Sequence, residues 1–215
     1  MKKVYVVGNA FFHQFQKMYE ARGYELTDNM EKADIVQFTG GEDISPDFYN
    51  QYQHRTTGCS QRRDEMEHAA YEKAIMLGKF CAGVCRGGQL LNALNGGSMY
   101  QDVDNHGIHG THGMEDIETG EVVPVSSLHH QMMILGDKGQ LLGRAASMRS
   151  KFKRKMTLLG SRKEEVVDID NPLEVEACYY PETRSFCYQP HPEFVTSDHP
   201  CQQWYFDKME RLLGA

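Results

Sequence analysis

A chain of 215 residues can bury one good core and is short for two, so a single domain over 1–215 is expected. Its formal net charge of −7 offers no global basic field to nucleic acid or an anionic membrane, and no apolar run nears the roughly 20 residues that span a bilayer. The six cysteines form no CxxC pair and no regular framework, which reads as reduced thiols in a cytoplasmic protein.

The N-terminus, MKKVYVVGNAFF, has two leading lysines, but its apolar run is short and soon meets His13 and Gln14. Residues 3–7 therefore read as a buried first strand, not a secretory leader. Residues 12–21 carry helical spacing through Phe12, Phe15, Met18 and Tyr19 and stop at Gly23. A second strand over 33–39 ends at the paired Gly40 and Gly41. Residues 61–77 predict a long helix with Met66, Ala70, Ala74 and Leu77 on its buried stripe and Gly78 just past its end. A third strand over 80–84 and a helix over 89–95 follow. This alternation implies an α/β fold, a three-layer αβα sandwich of flavodoxin-like type around a mostly parallel sheet. Further on, 122–125, 174–179 and 185–188 read as shorter strands and 202–213 as a final helix. Between them, residues 144–163 hold eight basic residues and read as a solvated loop, or more sharply as an anion or partner contact.

The segment GVCRG, residues 83–87, has the G-x-nucleophile-x-G spacing of a nucleophile elbow, with cysteine as the nucleophile. Flanking glycines allow a strand to reverse into a helix without Cβ clashes, exposing the side chain of Cys85. The sulfur then lies at the positive end of the following helix, which favours thiolate, and the amide of Arg86 faces the place where an oxyanion would form. A thiol nucleophile needs a base and the base an orienter. Among ten histidines, His191 in CYQPHPEF is the best placed, because Glu193, two residues on, points the same way in extended chain.

Taken in order, FTGGEDISPDFY (38–49), RRDEME (62–67), GVCRGGQLLNALNGGSMYQDV (83–103), VSSLHHQ (125–131), LEVEACYYP (173–181) and YQPHPEF (188–194) resemble the class I glutamine amidotransferase-like proteins, and within them the γ-glutamyl hydrolase-like branch. The resemblance implies a Cys–His–Glu triad in which Cys85 attacks a γ-glutamyl carboxamide, His191 moves protons and Glu193 orients His191. It implies an oxyanion hole of Gly40 or Gly41 with Arg86, Gly41 being the favoured donor. It also places Gln89, Ser127, His129, His130 and Gln131 along the glutamyl pocket. The chain departs from the family at Pro190, where an aromatic residue is usual, at Ser126, where asparagine is common, and at Thr39, where proline is frequent.

The implied reaction is hydrolysis of the γ-glutamyl amide of glutamine or another small-molecule γ-glutamyl compound through a thioester, with no metal or organic cofactor. The ammonia could pass to a separate synthetase subunit; no nucleic-acid or membrane partner is expected. An idle relative acting as a binding or scaffold subunit is the alternative, against which the intact Cys85, His191 and Glu193 argue. Two other features carry expectations. The three-residue spacing of His106, His109 and His112 in HGIHGTHG (106–113) is compatible with a structural zinc site, but the intervening glycines give no pre-formed ligand geometry, so a loop near the pocket mouth is the favoured reading. Asp43 and Asp64 read as turn caps that pair with Arg63.

Overall fold

The computed structural model describes residues 1–159 and 162–214. In chain order its elements are β1 (Lys3–Val7), α1 (Phe12–Ala21), β2 (Glu25–Leu26), β3 (Ile35–Phe38), α2 (Gln61–Met76), β4 (Phe80–Val84), α3 (Arg86–Leu94), β5 (Ser98–Tyr100), β6 (Asp102–Val103), β7 (Gly110–Asp116), β8 (Val122–Ser127), β9 (Met132–Ile134), β10 (Gln140–Ala145), β11 (Lys153–Leu159), β12 (Arg162–Asp168), β13 (Val175–Tyr180), β14 (Ser185–Tyr188) and α4 (Pro200–Gly214). The main sheet runs β2-β1-β3-β4-β14-β13-β10-β7-β8, with β9 pairing to β13 and β5 to β9. From β2 to β14 every pairing is parallel. Beyond β14 the sheet continues antiparallel.

The period-two alternation of β1 shows why two helical layers form. Val4 and Val6 face one side, with Phe15, Met18 and Tyr19 of α1 and Tyr205, Phe206 and Met209 of α4. Val7 faces the other, with Tyr71 and Ala74 of α2 and Leu90 and Leu91 of α3. Strand β4 is buried on both faces, as its unbroken run FCAGV requires. The expected αβα sandwich is therefore present, with the site-bearing strands in its parallel half. Buried Gln37 ties β3 to both outer helices by accepting from the Tyr19 and Tyr205 hydroxyls at 2.7 and 2.6 Å. Among the described residues no helix is long and apolar enough to cross a membrane.

Three expectations need correction. First, α2 buries Asp64, Glu67, Tyr71 and Ala74, whereas Met66 is 47% exposed and Leu77 also lies outside. The helix turns its carboxylates inward because a buried guanidinium awaits them, as described below. Second, α3 starts at Arg86, three residues before the expected start, and runs through Gly87 and Gly88. Those glycines are poor helix formers, but a Cβ on Gly87 would run into the backbone of Phe38. Third, the basic segment 144–163 is not a loop. Arg144 lies in β10, and β11 and β12 pair antiparallel and dock on β6; residues 160–161 of the segment lie outside the described residues. Three of its charges are met internally. Lys153 is buried and donates to the Asn171 carbonyl at 2.7 Å, Arg154 pairs with Asp102 at 2.6 Å and Arg144 with Glu115 at 2.9 Å.

Candidate active site

Strand β4 ends at Val84 and α3 begins at Arg86, so Cys85 alone makes the reversal. Its backbone sits at φ 50, ψ −113, a strained conformation for a residue with a Cβ. The surroundings over-determine it. The Cys85 amide donates to the Tyr188 carbonyl at 2.7 Å, and a Cβ on Gly83 would strike the backbone of Gly87. Because Arg86 is the first residue of α3, its amide has no intrahelical acceptor and belongs to the positive helix end.

His191 reaches Cys85 from the neighbouring strand, three residues past the end of β14, which pairs with β4. The two side chains flank Gly40 and interact electrostatically. The Nδ1 of His191 donates to Glu193 Oε1 at 2.7 Å, and its backbone amide donates to the Ser126 hydroxyl at 2.7 Å. The Phe194 ring stacks on the imidazole at 4.9 Å between centroids, and Phe11 packs edge-on against Phe194 at 5.0 Å. Burial disfavours charge on His191, but Cys85 and Glu193 outweigh it and hold the imidazole pKa well above its ordinary value. A proton held on this ring is therefore available at neutral pH.

Buried charge links the elbow to the glycine loop. The Arg86 guanidinium, wholly buried, pairs with Asp64 Oδ1 at 2.5 Å and with Glu67. Glu67 also accepts from Arg63 Nε at 2.8 Å, and Arg63 Nη2 donates to the Gly40 carbonyl at 2.8 Å. Asp64 thus pairs with Arg86 and not with Arg63. Asp43 does not cap a local turn: its carboxylate accepts from the Gly58 amide, 15 residues away, at 2.9 Å, and its ion-pair partner is His130 at 3.1 Å. Arg63 holds Gly40 and Gly41 against the site: a Cβ on Gly40 would lie 2.7 Å from His191 Cε1 and 3.5 Å from Cys85 Cβ. Gly41 has φ 140, and a side chain there would meet the Arg63 guanidinium.

A hollow of about 250 Å³ opens at Cys85, walled by Gly41, Glu42, Asp43, Thr56, Gln89, His129, His130 and Gln131 among others. A hollow of about 630 Å³ lies along Tyr5, Met30, Met66 and Ala70, but no cysteine lines it, so the smaller one, which holds Cys85, is the candidate site. Of the expected pocket residues, Gln89, His129, His130 and Gln131 line the hollow. Ser127 does not: it is wholly buried and gives its hydroxyl to the His106 carbonyl at 2.8 Å. The chain's departure at Ser126 has a visible consequence, since that hydroxyl anchors the His191 backbone. The sequence named Arg63 and Ser126 but not their roles, holding the Gly40 carbonyl and anchoring the His191 backbone, and it gave no sign of Phe11.

The histidine-rich segment also differs from expectation. His109 is exposed, but His106 and His112 are buried, His112 within β7, and both face Glu176 of β13. No local spacing signals this, because the carboxylate comes from 64 residues away. His129 faces the same carboxylate, and burial pulls its pKa down to about 3, so the ring is neutral.

Comparison with known proteins gives the same outline. The sequence profile of the family described as Peptidase C26 matches residues 18–193. The glutamine amidotransferase-like protein YvdE homolog of Lactococcus lactis subsp. cremoris is 44% identical over 72 residues, a stretch covering 33% of this chain and 38% of that relative. Protein NtpR of Enterococcus hirae is 29% identical over 187 residues, covering 83% of this chain and 74% of its own. A glutamine amidotransferase from Thermotoga maritima superposes with a TM-score of 0.62 at 14% identity, covering 98% of this chain and 84% of the other.

Proposed function

Since the chain belongs to the peptidase C26 family of class I glutamine amidotransferase-like proteins, we infer that it hydrolyses a γ-glutamyl amide bond through a thioester on Cys85. The observation that carries this reading is the meeting, on adjacent strand ends, of a strained cysteine and a histidine whose far nitrogen is held by a buried carboxylate.

The Cys85 thiolate attacks the γ-carbonyl carbon, forming a C–S bond while the carbonyl π electrons move to oxygen. That oxyanion forms beside the amides of Arg86 and Gly41, whose placement needs no reorganisation during the step. Collapse re-forms the carbonyl and breaks the C–N bond, and the leaving amine takes the proton from the His191 imidazolium. The now neutral His191 then removes a proton from water. The hydroxide adds to the thioester carbon, the C–S bond breaks, and free glutamate leaves with Cys85 again a thiolate beside a protonated His191. Glu193 accepts from Nδ1 throughout and keeps Nε2 turned toward sulfur and leaving group. Gln89, His129, His130 and Gln131 line the space for the glutamyl moiety.

The test is glutamate release from glutamine and a panel of γ-glutamyl amides, with Cys85→Ala as control. Turnover of at least one amide that disappears in the variant supports the reading. Absence of glutamate from every amide, or turnover that persists in Cys85→Ala, overturns it.

A further inference from the structure

Glu176, His106 and His112 take no part in that reaction, and His129 only lines its pocket, yet the four form an enclosed polar cluster beside the site. Glu176, His106, His112 and His129 are between 0 and 4% exposed. Around the Glu176 carboxylate, His112 Nε2 stands 2.8 Å from Oε1, His106 Nδ1 3.5 Å from Oε1 and His129 Nε2 3.9 Å from Oε2. Neither His106 Nδ1, His129 Nε2 nor Glu176 Oε2 has a hydrogen-bond partner.

The outer contacts of two rings determine which way their protons go. His106 Nε2 faces Glu174 Oε2 at 3.2 Å, and His129 Nδ1 faces the Gln131 carbonyl at 2.9 Å. A carboxylate and a carbonyl only accept, so each ring holds a proton on that outer nitrogen. Their inner nitrogens then converge on the Glu176 carboxylate: His129 Nε2 faces Oε2, which lacks a donor, and His106 Nδ1 faces Oε1, which His112 Nε2 also approaches. Electron-rich atoms converging in a buried space repel one another unless a cation lies among them. An imidazole whose far N–H is held by a carboxylate or a carbonyl is also the arrangement that orients metal-bound histidine.

We propose that His106, His112, His129 and Glu176 bind one divalent transition-metal cation of zinc type, which joins β7, β13 and the two loops carrying His106 and His129 beneath the floor of the Cys85 hollow. Zinc–nitrogen and zinc–oxygen bonds near 2.0–2.1 Å in a tetrahedron place neighbouring donors about 3.3 Å apart; the three nitrogens stand 2.8 to 3.9 Å from the Glu176 carboxylate, and His106, His112 and Glu176 offer donor atoms within 4.8 Å of one another. Three imidazoles and one carboxylate suit zinc, whereas magnesium and calcium take oxygen ligands. The site is closed by protein donors and leaves no position for substrate, so its role is structural and independent of the hydrolysis proposed above.

The full-length protein, stripped with a chelator, is titrated with ZnCl₂ and its bound metal measured by mass spectrometry after gel filtration. The expected result is one zinc per chain, submicromolar affinity and a raised melting temperature. Cys85→Ala should retain that zinc, and a folded Glu176→Gln or His106→Ala should lose most of it. Cobalt in place of zinc should give intense visible bands of a four-coordinate site without thiolate charge-transfer absorption. No saturable uptake by the stripped protein, unchanged stoichiometry in Glu176→Gln, or a thiolate band from cobalt would each overturn the proposal. Should both variants misfold, the titration and the cobalt spectrum of the unaltered protein decide.

Discussion

At the scale of single residues, the six thiols sort by environment. Cys81, Cys187 and Cys201 are buried, and burial raises all three pKa values. Cys59 is exposed, yet partial burial together with Asp64 and Asp43 raises its thiol as well, which slows alkylation there. A diazo-ketone analogue of glutamine should therefore label Cys85 alone; peptide mapping that finds the adduct on Cys59 would move the nucleophile. The two partners of Cys85 should separate kinetically. His191→Ala should cost about 10²–10⁴ in kcat, since it removes the proton carrier, and Glu193→Gln less. The glutamine variant should also shift the alkaline limb of the kcat/KM profile. Glu193 is one of two groups raising the His191 pKa, so without its charge the imidazolium is lost at lower pH and the limb moves down. An unmoved limb would deny Glu193 that role.

At the scale of elements, the distinctive device is the charge chain from α3 through α2 to the glycine loop. Arg86→Met would leave Asp64 and Glu67 buried, the former without its guanidinium, and should cost about 3–5 kcal/mol in urea unfolding. Arg63→Ala should spare more of the fold, because Glu67 keeps Arg86, but it frees Gly40 and Gly41. Losing one oxyanion donor costs about 10²–10³ in kcat, so a displaced Gly41 amide should cost up to that much with KM little changed. A fall confined to KM would assign Arg63 to substrate binding instead. A second junction ties α4 to the end of β7, where Lys208 Nζ lies 3.0 Å from Asp116 and the Trp204 indole donates to it. Burial works against the Asp116 charge, but Lys208 and Trp204 outweigh it and hold the pKa below the usual value. The bonus is then fully present above the ordinary carboxylate pKa and is lost as pH falls through the depressed one. Asp116→Asn should cost about 1.5–3 kcal/mol at neutral pH, with the gap from the unaltered protein closing in acid. An equal gap at all pH values would show that packing, and not charge, is at stake.

At the scale of the whole molecule, stability should grade from the parallel half outward. Strands β3, β4 and β14 are enclosed by helices, whereas β12 is an edge strand with Val166 and Val167 exposed. Amides of β11 and β12 should exchange with solvent well before those of β4 and β14, and equal protection in hydrogen-exchange mass spectrometry would contradict that order. What the sequence by itself determined is local. The runs of β1 and β4 and the spacing of α1 follow from side-chain periodicity, and the elbow at Cys85 follows from glycines that two adjoining backbones require. The H-P-E segment after β14 likewise belongs to a contiguous stretch. These features depend on neighbours a few residues apart, so they were legible, and the parallel topology followed from their alternation. Strands β7 and β10 were not legible, because GTHGMED and QLLGRA lack a clean apolar alternation and exist as strands through their partners in the antiparallel extension. The face of α2 was decided by an arginine 19 residues away from Glu67, a charge that hydropathy reads as solvent-facing. The histidines around Glu176 were decided in the same way, since only the folded sheet brings Glu176 of β13 within reach of His112 of β7 and buries His106 and His112 at the two ends of an otherwise exposed glycine-rich segment. Periodicity reports burial of apolar groups, whereas buried charge is tolerated only where a distant partner meets it, and that meeting exists only in the tertiary structure.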